Sequence, residues 1–308
     1  MMPARPGSRV LGALAVLGAS GLLAGCGAIS DEGTDGRRIV ASFYPLAWVT
    51  EQVAGDEWTV TNLTAPGGEP HDLSLTIEAT AELAESDLVV YLHGFQPAVD
   101  DAIDANASGA TLDAAEVVDL LPLGEHEHAG EDTHDHGEED PHFWQDPERM
   151  ALLTEAVGEE LATLDEAGAD GYRDRASDLA QELRTLDREY AEGLSDCRRD
   201  VVVVSHDAFG YLERYGVHLA PIAGLSPDAE PTPAVLGELS ELIRAEGLTT
   251  VFSERLASQA LADTLATDLG IRTAVLDPIE GLTDETADDD YLSLMRQNLA
   301  ALQEANGC

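Results

Sequence analysis

The sequence predicts an α/β protein of two lobes, each built on a mainly parallel sheet, joined by a long rigid helix. Three observations carry this. Short apolar runs alternate with helical periods, and the alternation occurs twice along the chain. Between the two occurrences one apolar stripe keeps three- and four-residue steps for about 28 residues, which at 1.5 Å each spans ~40 Å, the width of a domain. Finally, isolated histidines fall just past the ends of strands, where open α/β sheets bind ligands.

The elements follow in order. Residues 38–43 read as a strand and 45–54 as a helix, with Pro45 at its start and Gly55 beyond its end; residues 57–63 read as a second strand. Thr76 caps a short helix to Glu85, and DLVVYL at 87–92 is a buried strand. A helix over 97–106 precedes short stretches at 111–113 and 117–120. Residues 147–163 and 169–196 are two amphipathic helices; Tyr172, Ala176, Leu179, Leu183, Leu186 and Tyr190 form the stripe of the second. The second lobe has strands at 200–204, 217–222, 249–252 and 272–276, with helices at 209–215, 232–246, 258–269 and 289–302. The expected divisions are 38–165 for the first lobe, 166–197 for the linking helix and 198–308 for the second lobe.

Ahead of the first strand lies a different kind of segment. Arg5 and Arg9 precede an apolar run from Val10 to Leu23, followed by Leu23-Ala24-Gly25-Cys26. The run is too short to span a bilayer, and the small residues before a cysteine suit a lipoprotein signal peptide over 1–25, with 26–37 as a polar tether. Lipidation at Cys26 anchors the chain to the extracytoplasmic face of the cell membrane. Cys197 and Cys308 are then the remaining thiols, and in an oxidising compartment a leftover pair tends to form a disulfide; two isolated thiols or a bridge to another molecule are the alternatives.

The chain carries 60 acids against 16 bases, a formal charge of −44, and every base is arginine. Such a surface excludes nucleic acid as a partner. It raises the local concentration of any cation, so it argues for no particular site. The stretch from Gly124 to Asp140 is more pointed: His126, His128, His134 and His136, four of the nine histidines, stand among eight carboxylates. Neutral imidazole binds borderline transition metals near pH 7, so the insert at 121–141 reads as an auxiliary metal-handling loop. Its other reading is a solvated acidic loop.

His71 lies in the loop after the 57–63 strand, His142 in DPHFWQDP, and His206 two residues past VVVV; Asp277 directly follows the AVL strand. Three imidazoles and a carboxylate spread over two lobes make a tetrahedral set in the cleft. Glu254, also just past a strand, competes with Asp277 for the fourth place. Asp72, Asp146 and Asp207 stand close to these histidines and could either accept a second ring N–H or cap helices. Tyr44, Trp144 and Phe209 are candidates for a dry wall. His93 is placed near the cleft without being counted as a ligand, and His218, inside a strand, as structural.

EPHDLSLT, DPHFWQDP and VVSHDAFGYL resemble the zinc-binding solute-binding lipoproteins of bacterial ABC importers, in the cluster that serves zinc and manganese. The resemblance runs from about Arg38 to the C-terminus. It implies His71, His142 and His206 as imidazole ligands, Asp277 as the carboxylate, Zn2+ as the cargo, a membrane permease as partner and a monomer without enzymatic activity. Relatives of the manganese type carry Glu where His206 stands; the third nitrogen here favours zinc over Mn2+. A secreted zinc buffer, metallochaperone or adhesin fits the same motifs. A zinc hydrolase fits poorly, because HExxH is absent from the sequence.

Overall fold

The structure is a computed structural model and describes residues 36–123 and 139–308. Cys26, His126, His128, His134 and His136 therefore lie outside the described residues. No described helix is long and apolar enough to cross a membrane.

The chain from Arg38 forms β1 (Arg38–Ala41), α1 (Tyr44–Ala54), β2 (Thr59–Asn62), α2 (Ile77–Glu85), β3 (Leu88–Tyr91), α3 (Pro97–Asn106) and β4 (Ala110–Asp113). The four strands pair in parallel in the order β2-β1-β3-β4. Thr76 caps α2 by accepting the Ala79 N–H, as its position predicted, and Pro97 starts α3. Asp113 ends β4 and caps a single turn, α4 (Ala114–Val117), so part of the 117–120 stretch is helical. A two-residue hairpin follows, β5 (Leu121–Pro122) against β6 (Glu139–Asp140), and brackets the histidine-rich insert. Its base is clamped from the second lobe: Tyr211 Oη accepts the Leu121 N–H at 3.0 Å and donates to the Asp140 carbonyl at 2.7 Å.

α5 (Pro147–Leu164) and α6 (Ala169–Leu194) then pack side by side; Gly158 faces the Ala176 methyl, and any side chain there would collide with it. Every residue of the expected α6 stripe is buried. At one end Tyr172 Oη accepts from Trp58 Nε1, and at the other Tyr190 Oη donates to the Met295 carbonyl, so α6 is bonded to both lobes. Beyond it lie β7 (Val201–Val204), β8 (His218–Pro221), α7 (Pro233–Glu246), β9 (Thr250–Ser253), α8 (Ala260–Leu269), β10 (Arg272–Val275) and α9 (Tyr291–Asn306). The second sheet, again parallel, runs β8-β7-β9-β10, the same order as the first when its strands are counted from β7.

One apolar core runs from Ile39 and Trp48 through Trp144, Leu183 and Phe209 to Leu276 and Tyr291, crossing both lobes and both long helices. A core shared in this way resists wide opening of a hinge, because separating the lobes would expose it to water. The Cys197–Cys308 disulfide forms and ties the end of α6 to the C-terminus across 111 residues. Closing so long a loop is worth up to ~4–5 kcal/mol in the chain-entropy picture. His218, read as a structural residue inside a strand, is the exposed first residue of β8. A period-two pattern cannot say which end of a strand emerges into water.

Candidate metal centre

His71 is delivered by the loop after β2. Gln96 fixes that loop by donating from Nε2 to both Thr64 Oγ1 (3.1 Å) and the Pro70 carbonyl (3.2 Å), and Gly67, at φ +77°, donates its N–H to the Leu282 carbonyl across the mouth of the cleft at 2.7 Å. The imidazole stands edge-on to Phe95, with ring centroids 4.7 Å apart. Phe95 was not among the expected wall residues, although its place just past β3 is the same kind of place that marked the histidines. Of the expected ones, Trp144 packs 5.2 Å from the His142 ring, while Tyr44 and Phe209 are buried in the core.

His142 follows β6. Asp140 Oδ1 accepts both its backbone N–H (3.0 Å) and its ring Nδ1–H (2.8 Å), which leaves Nε2 as the free nitrogen. His206 follows β7, and its Nδ1 lies 2.8 Å from Glu254 Oε2. Asp140 therefore takes one of the two roles open to Asp72, Asp146 and Asp207, and Glu254 stands by His206 as a counter-charge. Asp72 is exposed. Asp146 caps α5 and pairs with Arg149 and Arg214. Asp207 is fixed through its backbone N–H to the Gly224 carbonyl. Glu254, the alternative fourth ligand, stands behind an imidazole instead of beside it. His93 is exposed, with Nδ1 3.4 Å from Asp100, away from the site.

The fourth donor is Glu280, a residue that sequence reasoning missed. His71, His142, His206 and Glu280 are all buried and bring one donor atom each within 4.8 Å of the others, and they are the one such group found among the described residues. Glu280 Oε1 stands 3.3 Å from His71 Nε2, 3.5 Å from His142 Nε2 and 3.4 Å from His206 Nε2. A tetrahedral ion with bonds of about 2.0–2.1 Å separates its donors by roughly 3.3–3.4 Å. The three separations from the oxygen match that spacing, and the three nitrogens lie within 4.8 Å of one another. The Nε2 atoms of His142 and His206 are buried without a hydrogen-bond partner, a costly arrangement unless a metal takes them.

Asp277, expected as the carboxylate ligand, is occupied otherwise. Its Oδ1 accepts the Ile279 N–H (2.9 Å) and its Oδ2 accepts from Arg255 Nε (3.0 Å). Asn298 holds the same residue's backbone from both sides, accepting its N–H at 2.9 Å and donating to its carbonyl at 2.6 Å. The carboxylate that reaches the imidazoles comes three residues later because Ile279 adopts φ +60°, the one non-glycine residue with positive φ among those described. A β-branched residue there is strained by about 1–3 kcal/mol, and the turn it makes aims Glu280 inward. The second acid in DPIEG, ahead of a glycine, was the available signal.

Charge follows the same geometry. Burial alone would lower all three imidazole pKa values. It prevails at His71, whose Nδ1 is buried without a partner, and that pKa is lowered. At His142 Asp140 and Glu280 outweigh it, to about 9; at His206 Glu254 and Glu280 do so, to about 10. Burial would raise Glu280, but three imidazoles hold it well below the usual carboxylate range. Glu69, whose carboxylate accepts the His71 N–H, is pushed up to about 7 by burial and by Glu280.

The zinc-uptake complex component A (ZnuA) periplasmic family matches residues 39–305. The chain belongs to this family. It is 37% identical over 284 residues to the zinc-binding lipoprotein AdcA of Streptococcus pneumoniae serotype 4, covering 88% of this chain and 56% of that protein, so it spans about half that relative's length. Over 299 residues it is 30% identical to the high-affinity zinc uptake system protein ZnuA of Bacillus subtilis, covering 92% of this chain and 93% of the relative. Its fold is similar to the crystal structure of the Zn(II)-bound ZnuA-like domain of S. pneumoniae AdcA, with a TM-score of 0.75 and 35% identity, covering 89% of this chain and 100% of that domain.

Proposed function

We propose that the protein is the extracytoplasmic zinc-binding component of an ABC transporter, which captures Zn2+ and delivers it to a membrane permease. The observation that carries the reading is the set of three N···O separations of 3.3, 3.5 and 3.4 Å around Glu280 Oε1, which fit zinc held by three nitrogens and one oxygen. Three imidazoles favour zinc over manganese, and four protein donors leave no coordination position for a reacting water, as binding without catalysis requires. The processed chain works as a monomer anchored through Cys26, with the histidine-rich insert collecting metal weakly beside the tight site.

Equilibrium metal competition on the processed protein tests this. Deleting residues 124–138 lowers the stoichiometry and leaves one tight zinc. The cut must stop short of Asp140, which holds His142. His206→Glu weakens zinc relative to manganese. Loss of the tight zinc with the loop, or turnover of ester or peptide substrates by the zinc-loaded protein, would overturn the reading.

A further inference from the structure

Residues 277–280 form a strained turn that is gripped from three directions. Asp277 Oδ1 accepts the N–H of Ile279, the residue at φ +60°. Arg255 and Asn298 hold Asp277 itself. Between the two, the Pro278 carbonyl accepts from Trp144 Nε1 at 2.7 Å and from Gln145 Nε2, both on the short turn that begins right after His142. Ile279 is fully buried, so its side chain adds packing that keeps the turn in place. None of these groups belongs to the donor set. Each acts on the peptide units that fix the direction of the Glu280 side chain.

We infer that Asp277 is the positioning residue for the oxygen ligand: it holds Ile279 in the left-handed region, and so sets Glu280 Oε1 among the three imidazoles. Trp144 and Gln145 make the turn conditional on the lobes being together, because the segment that carries His142 also bonds the segment that carries Glu280. A bond lost at Pro278 would free the turn to relax and swing Glu280 away from the nitrogens. The inference rests on the zinc-binding reading of the site and names the acid that makes its geometry possible.

The test uses the full processed chain, with zinc affinity measured by chelator competition and hydrogen exchange at the Ile279 amide measured on metal-free protein. Asp277→Ala removes both acceptors. It weakens zinc about 10- to 100-fold, the usual cost of losing a group that orients a ligand, and speeds exchange at Ile279. Asp277→Asn keeps an acceptor for the Ile279 N–H and restores most of both properties, which a lost ligand could not do. Adding Ile279→Gly to Asp277→Ala recovers affinity, since glycine takes φ +60° without strain and needs no brace. Ile279→Gly alone provides the baseline, and separates that recovery from any loss of packing. Affinity unchanged in Asp277→Ala, or Asp277→Asn as damaging as Asp277→Ala together with no recovery by glycine, would overturn the inference. Wild-type protein that binds no zinc would instead overturn the reading of the site.

Discussion

The two lobes share one strand order and present their donors from the same ends of their sheets, yet they hold those donors differently. In the second lobe both donors are braced by charge: His206 stands against Glu254, and Glu280 sits on a turn fixed by Asp277, Arg255 and Asn298. In the first lobe only His142 has a carboxylate behind its ring, Asp140, while His71 rests against Phe95 on a loop held by Gln96. A common topology thus fixes where ligands can stand, and the groups behind them decide how firmly. The site comprises three braced donors and one that is placed mainly by packing.

The largest effect that sharpens this contrast needs no metal. Glu280 is the counter-charge for His142 and His206, so Glu280→Gln leaves buried imidazolium groups with less compensation. It should destabilise the metal-free protein near pH 6 by up to about 3–5 kcal/mol in denaturant titrations. His71→Ala should cost much less, because burial lowers its pKa and so disfavours the charged form that Glu280 would have to neutralise. Equal losses would erase the distinction between the lobes.

Next comes the cost of removing a brace. Asp140→Ala and Glu254→Ala should each weaken zinc about 10- to 100-fold in competition titrations. Phe95→Leu, behind the unbraced histidine, should change affinity by less than either, since it removes shape and no hydrogen bond. If it proves the most damaging of the three, packing and not charge sets the site.

The dependence on pH follows from the same braces. With His142 at about 9 and His206 at about 10, both are protonated in metal-free protein at pH 7.5, whereas His71 is neutral. Zinc must displace about two protons, which calorimetry in buffers of different ionisation enthalpy will read as proton release. Affinity should fall as pH drops from 10 towards 7. The stability of metal-free protein runs the other way. Both imidazoles have raised pKa values, so their contribution is complete below the unfolded value of about 6.5 and fades as pH climbs through 9 to 10. Release of no protons at pH 7.5 would contradict the bracing.

Most of this architecture could be read from the chain. Strands such as VVVV and LVVY and the stripe of α6 are strong periodic signals, and Pro97, Thr76 and Thr232 mark helix starts by mechanisms that depend on local chemistry alone. The helix over α9 runs to Asn306, one turn past the expected 302, because Gly307 supplies its left-handed end. His71 and His206 were legible because they stand past strand ends, and His142 because it stands in the DPHFWQDP motif. Glu280 was not, because Asp277 fits the same rule better, and only the left-handed backbone of Ile279 turns the later acid towards the cleft. Propensity does not place isoleucine there. The partner of His206 was hidden for a related reason: Glu254 is distant in sequence and meets the imidazole only because β7 and β9 are neighbours in the sheet.

The most direct test of the central claim is a crystal structure of the zinc-loaded protein with anomalous data collected at the zinc edge. The account predicts one strong peak between the lobes, about 2.0–2.1 Å from Nε2 of His71, His142 and His206 and from Glu280 Oε1. A peak bound by Asp277, or one lacking any of the three imidazoles, would contradict it.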